Sequence, residues 1–338
     1  MEREITKKTR LLDDKGRLES PGYARNMMFE YDRSRIKAGP LSLKEWDFYQ
    51  LGMGGHILQM TIGHLSYIAN FSAKLIDVTA GTVKSFSPLR LFPLRSMHMP
   101  VNPEEENVIE ARGRDFTMRF DAKRDRRILT MQAGDAGIGD IKIDIELKCD
   151  PENEKMVIAT PFFKKNQFYL NYKENFYGAS GAVKFGDTVV NAGPEDCAVL
   201  DWGRGVWPFR HEWFWGNGAA FTAGGRFGFN IGWGFGDLRN ASENMFFWNG
   251  KAYRLGRLLV ERDENNYTAP WKFRDETGCF DFEMTPVFDN FNRTKIAFIQ
   301  TQCHQVFAKF NGIAVLPDGK KIEVHDMLAF CEHAQNRW

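Results

Sequence analysis

Apolar and polar residues alternate with a period of two along most of this chain. In the clearest case Ile141, Ile143, Ile145 and Leu147 oppose Lys142, Asp144, Glu146 and Lys148, which predicts a strand packed on one side and wet on the other. Leu65, Tyr67, Ala69, Phe71, Ala73 and Leu75 form a second run, out of step with a helical period, and Gly81 marks the expected turn after it. In the second half Phe227, Phe229, Ile231, Trp233 and Phe235 alternate with Gly228, Asn230, Gly232, Gly234 and Gly236. A face with almost no side chains implies close approach by a ligand, a packed neighbour or a curving barrel wall; packing or curvature is the preferred reading.

Further strands are expected at Gln167 to Tyr172, Asn244 to Trp248, Leu255 to Glu261, Cys279 to Met284, Lys295 to Phe310 and Ile313 to Leu316, with a turn at Asp318-Gly319. Short helices are expected around Ser42 to Tyr49 and from Asp326 onward. No alternation of strand and helix supports a parallel α/β sheet. The predicted class is mainly β, as two tandem antiparallel β-barrels. The stretch Asp187 to Cys197, with Gly193-Pro194 inside it, is the expected boundary. It divides the chain into 1–192, an N-terminal segment plus a first barrel, and 193–338, a second barrel carrying the segment described next.

Asp201 to Gly216 places four Trp, two Arg, two acids and a His in sixteen positions. Gly203, Gly205 and Pro208 argue for a structured loop running into a strand on which Arg210, Glu212 and Phe214 oppose His211, Trp213 and Trp215. A guanidinium beside indole rings suits a carboxylate, a phosphate or a hydroxyl-rich ligand. Arg204 and Arg210 are therefore the expected ligand clamps, with Trp202, Trp207, Trp213, Trp215 and Trp233 as the aromatic wall. Asp201 is the expected acid, assisted by His304 or Glu212; an Asp201–Arg204 ion pair that only pins the fold is the rival reading. Gln300, Gln302 and His304 share one strand face, which lines a lumen or faces solvent.

Composition narrows the partners. Lys plus Arg number 45 and Asp plus Glu 44, a net charge of +1 that gives no global field for nucleic acid or an anionic membrane. Aromatic residues make up 14%, which favours pleated surfaces and apolar pockets. Five scattered cysteines, a polar N-terminus and no long apolar run point to a reducing, cytoplasmic setting without a membrane span. No histidine spacing suits a metal, and no Walker loop, dinucleotide fingerprint or nucleophile elbow is present, so no metal and no cofactor is expected.

Four blocks resemble the DUF2804 family. They are Leu11 to Gly16 with Gly22-Tyr23-Ala24-Arg25 and Lys44-Glu45-Trp46-Asp47, then Ile68-Ala69-Asn70-Phe71-Ser72, then Asp201 to Trp207, and finally His304-Gln305-Val306-Phe307 through Asn336-Arg337-Trp338. That family is distantly similar to tandem lipocalin-like proteins such as carotenoid hydratases. The resemblance implies two calycin-type barrels and a cavity for a small molecule, with Asp201 and Trp207 or Trp215 as counterparts of an aspartate and a tryptophan near the ligand. The leading expectation is a cavity protein for a lipid-like or terpenoid-like molecule with an anionic or hydroxylated end, with a hydratase-like (lyase) activity if it is an enzyme. The alternatives are a carbohydrate-active or sugar-binding protein and a structural module without a ligand. Oligomeric state is left open.

Overall fold

The computed structural model describes residues 2–39, 41–93, 97–134, 137–296 and 299–338. Among these residues the one helical element is the 3-10 turn Arg33–Arg35. Nearly everything else is strand, in two large sheets that are antiparallel throughout; a separate two-residue parallel pair joins Thr9–Arg10 to Phe29–Glu30.

The first sheet runs Thr82–Phe86, Ile68–Asp77, His56–His64, Leu43–Met53, Cys197–Val206, Phe168–Phe185, Ile141–Lys148, Arg126–Ala133, Phe116–Ala122, Asn107–Arg112. The second runs Lys251–Arg254, Met245–Trp248, Gly225–Trp233, Arg210–Thr222, Lys321–Arg337, Ile299–Val315, Phe280–Ile296, Trp271–Asp275, Leu258–Glu261. Among the described residues the end strands of each path do not pair with each other. Each sheet is therefore a curled half-barrel.

Alternation decides what each face buries. Phe120, Tyr172, Tyr177, Phe185 and Trp202 fill the first half-barrel, where Leu11, Leu12, Met27 and Phe29 of the N-terminal segment plug it. Phe227, Phe229, Trp271, Phe273, Phe282 and Phe310 fill the second. The opposite faces of the two sheets meet along a seam, where Met156, Tyr169, Phe176, Trp207 and Met245 pack together. The bare face of Phe227 to Phe235 lies on this seam: a Cβ on Gly228 would stand 2.8 Å from the Phe176 ring, and one on Gly232 3.0 Å from Glu243. A bulge between Asn175 and Tyr177 holds Phe176 at φ 70°, a conformation rare for aromatic residues. The glycines thus serve sheet packing, as the preferred reading supposed.

Three expectations need correction. Leu43 to Tyr49 belongs to the strand Leu43–Met53, and Asp326 to Arg337 belongs to Lys321–Arg337; each is paired on both sides, and that tertiary pairing outweighed the local helix formers. The expected strand Lys295 to Phe310 is divided: one strand ends at Ile296 and the next starts at Ile299, with 297–298 outside the described residues. The chain leaves the first sheet only after Val206, since Cys197–Val206 pairs with both Phe168–Phe185 and Leu43–Met53. The Gly193-Pro194 stretch joins Thr188–Ala192 to Cys197–Val206, which both pair with Phe168–Phe185, and the Asp/Arg/Trp segment is shared between the sheets.

Candidate functional site

Period two and the change of sheet send that segment to three places. Trp202 and Arg204 point into the first half-barrel. Asp201, Trp207, Trp213 and Trp215 face the seam. Arg210, Glu212 and Phe214 face the concave side of the second sheet.

Arg204 is wholly buried. Its Nη2 donates to Asp47 Oδ1 (2.8 Å) and to the Pro100 carbonyl, its Nη1 to the Trp46 and Gly203 carbonyls, and its Nε to Pro100. Its guanidinium lies 3.9 Å from the Trp202 ring centroid, and Glu45 is 3.6 Å away. All five donors are used, which leaves none for a ligand. The Asp201–Arg204 pair of the rival reading does not form, because residues three apart on a strand point to opposite faces.

At the seam Asp201 Oδ1 accepts from Asn171 Nδ2 (2.6 Å) and Lys173 Nζ (3.1 Å), and Oδ2 accepts from Trp46 Nε1 (3.1 Å). Lys173 also stands 3.3 Å from Glu243 and 3.8 Å from the Trp215 ring centroid. Glu332 accepts from Trp213 Nε1 (2.8 Å) and Gln305 Nε2 (3.2 Å). Burial pushes the Glu243 carboxyl up against the pull of Lys173, and pushes Glu332 up to about 6. Trp207 packs on Trp46, Trp338 and His211. The His211 Nδ1–H donates to the Pro208 carbonyl (2.9 Å), and burial lowers that imidazole to about 4.

The second sheet presents a graded surface. Its register aligns Phe291, His304, His333, Phe214 and Trp233 in one row across five strands. Phe214 stacks on His333 at 4.0 Å and on Trp233 at 4.7 Å, and Phe291 lies 4.4 Å from His304. Tyr267, from the connection between Leu258–Glu261 and Trp271–Asp275, stacks on His304 at 3.7 Å between centroids. His304 Nδ1–H donates to Asp289 Oδ2 (2.7 Å). Its Nε2 has no hydrogen-bond partner among the described residues. Burial, reinforced by the charge of Arg262, holds His333 below its ordinary value while Glu212 pulls the other way. A neutral His333 accepts the Tyr267 hydroxyl at Nδ1 (2.6 Å) and carries its proton on Nε2, which lies 3.8 Å from Glu212. Arg262 stacks over the rings of Phe214, Tyr267 and Trp271 at 5.0 to 5.4 Å.

Of the predicted site residues the structure therefore joins His304, Glu212 and Trp233 at this mouth, with Arg210 on its rim. Asp201, Trp213 and Trp215 lie together at the seam with Trp207, and Arg204 and Trp202 lie in the first core. Sequence reasoning missed Asp289, His333, Tyr267 and Arg262. His333 pairs directly with His304 and Asp289 lies on the same face of the preceding strand, but both become its neighbours only through strand register; Tyr267 and Arg262 sit in an irregular connection without periodicity. Among the described residues no group of three or more His, Cys, Asp or Glu could hold a metal ion, and no helix is long and apolar enough to cross a membrane.

Fold and sites together define a two-sheet β protein, with curled antiparallel half-barrels joined by a buried ionic seam and a polar, aromatic mouth on the second. The chain belongs to the family described as domain of unknown function DUF2804, whose model matches residues 2–338. No curated protein matches it in sequence. Solved structures that share its outline include kievitone hydratase from Nectria haematococca, at 11% identity and a TM-score of 0.49, covering 91% of this chain and 92% of that one. A candidate AttH from Nitrosomonas europaea stands at 12% identity and 0.48, covering 91% and 95%.

Proposed function

We propose that the mouth of the second sheet is the centre of an acid–base enzyme that adds or removes water at a double bond conjugated to a carbonyl, in a small and largely apolar substrate. One observation carries this reading: the His304–Asp289 pair, with Nε2 unpartnered in a row of aromatic rings that opens outward. A carboxylate on Nδ1 fixes the tautomer and stabilises the imidazolium, leaving Nε2 to take a proton. An imidazole is too weak an acid to protonate an isolated alkene, but as a base it can take a proton from a carbon made acidic by a neighbouring carbonyl.

In the elimination direction His304 Nε2 removes the proton next to the carbonyl, and the electron pair forms the double bond. The hydroxyl then leaves with the proton that His304 returns, as water. Addition is the reverse. Arg262 supplies the cation that favours the enolate oxygen, and Tyr267 and Phe291 sandwich the imidazole. Asp201, saturated by three donors, holds the seam in this reading. The sugar-binding alternative loses its main support, because the tryptophans do not form one platform.

The test is solvent isotope incorporation. Incubation of β-hydroxy ketones and their enones with the protein in deuterium oxide should give exchange at the carbon beside the carbonyl, read by mass spectrometry. His304→Gln should slow exchange at least ~100-fold, and Asp289→Asn less. Equal exchange by wild type and His304→Gln would remove this site from the chemistry.

A further inference from the structure

Two further rows lie outside the His304 row on the same concave face. The next outward is Arg293, Gln302, Gln335 and Glu212, and the outermost is Lys295, Gln300, Arg337 and Arg210, each aligned by strand register. Four cations and one carboxylate thus ring the mouth of a chain whose whole net charge is +1. None of the four cations makes an ion pair among the described residues, and Glu212 is engaged by Gln335 and faces His333. Arg210 and Arg337 are direct cross-strand partners. Like charges in that position repel, and an anion bridging two guanidinium forks relieves the repulsion. Both line an open groove of about 560 Å³ together with His211, Glu212, Gln300, Gln335 and Asn336.

We infer that the substrate is an amphiphile with a carboxylate end held between Arg210 and Arg337 and an apolar, unsaturated or hydroxylated body directed inward to the His304 row. The inference rests on the mouth being the reaction centre and adds the class of molecule it takes. Phe214 lies four residues inward of Arg210, about 13 Å of strand at ~3.3 Å per residue. The reacting carbon therefore lies well along the chain from the carboxylate. Glu212 between the two rows repels a carboxylate that slides further in, which fixes the direction of entry. The aromatic row beyond accepts the apolar body.

Dodecanoate, dodecanol and dodecyl phosphate are the probes, titrated into the full chain by calorimetry below their micellar concentrations. Wild type should bind dodecanoate at least ten-fold more tightly than dodecanol, with a preference that shrinks as salt rises. Arg210→Gln with Arg337→Gln should erase that preference and leave dodecanol binding unchanged. A phosphate end bound more tightly than the carboxylate would replace carboxylate by phosphate as the head group and overturn the class named here. Equal affinity for dodecanoate and dodecanol, an unchanged preference in the double variant, or no binding of either would also overturn it. His304→Gln should keep the preference for dodecanoate over dodecanol, so a failure of the acid–base reading shows in isotope exchange and a failure of this one shows in the charge preference.

Discussion

At the seam Lys173, Asp201, Glu243 and Glu332 lie buried between two sheets, where four indole or amide donors and one ammonium meet the carboxylates of Asp201 and Glu332. At the mouth His304, His333, Asp289 and Glu212 occupy the ends of long strands that run past the core. There His304 Nε2 has no partner and the Glu212 side chain is 50% exposed. Both regions are rich in ionisable and aromatic groups, so composition alone cannot tell them apart. The difference lies in solvation. Charges taken from water must find partners inside or the fold fails, whereas the mouth grades from the buried His333 through the partly buried His304 and Asp289 to the half-exposed Glu212 and keeps the His304 Nε2 lone pair for a substrate.

The comparison breaks most sharply at Lys173. Replacing it in Lys173→Met leaves the Asp201 and Glu243 carboxylates buried without their ammonium, and loss of one partner of a buried pair costs about 3–5 kcal/mol. Urea unfolding followed by Trp fluorescence should show a loss of that size; a loss under ~1 kcal/mol would mean that the seam charges neutralise themselves. At the mouth the ranking reverses. His304→Gln should change unfolding stability by no more than ~1 kcal/mol while removing most of the isotope exchange, because its main bond is one hydrogen bond to Asp289.

Much of the fold was legible because period two is a local signal. The Ile141–Lys148 strand shows the alternating burial its sequence implies, and the facing of Arg210, Glu212 and Phe214 against His211, Trp213 and Trp215 follows from the same rule. The partner of each charge was not legible. Asp201 and Arg204 are three residues apart yet belong to different compartments, and their counter-ions Lys173 and Asp47 come from strands 28 and 157 residues away. Strand pairing at that separation is set by tertiary packing, which no window of sequence records. His304 was singled out, but Asp289 needed the hairpin register to become its neighbour.

A smaller effect separates the regions by pH. The buried Glu332 carboxyl, raised to about 6, holds its proton in the folded protein between ~4.3 and 6 while the unfolded chain has released it. Its contribution is present below that window and lost as pH rises through 6, by about 2 kcal/mol. The buried His211, lowered to about 4, works in the opposite sense: the unfolded chain takes up a proton below ~6.5 that the folded ring refuses, so stability grows as pH rises from 4 to 6.5. The two contributions therefore oppose each other from pH 4.5 to 6. Relative to wild type, His211→Phe should lose stability with rising pH across that range, and Glu332→Gln should gain it; parallel slopes in the two variants would refute the assignment.

Glu212→Gln is expected to have the smallest effect on stability. Its carboxylate is half exposed, accepts from Gln335 Nε2 and lies 3.8 Å from His333 Nε2, so the amide should change unfolding free energy by no more than ~0.5 kcal/mol. Its electrostatic effect should still be measurable. Glu212 is the group that pulls His333 upward against burial and Arg262, so its neutralisation should move the His333 titration further down, as read from the ring proton shifts by NMR. The same change removes the only acid among the four rim cations and should tighten dodecanoate binding. A destabilisation matching that of Lys173→Met would mean that the mouth is as closed an ionic network as the seam, and the division of labour between the two regions would not hold.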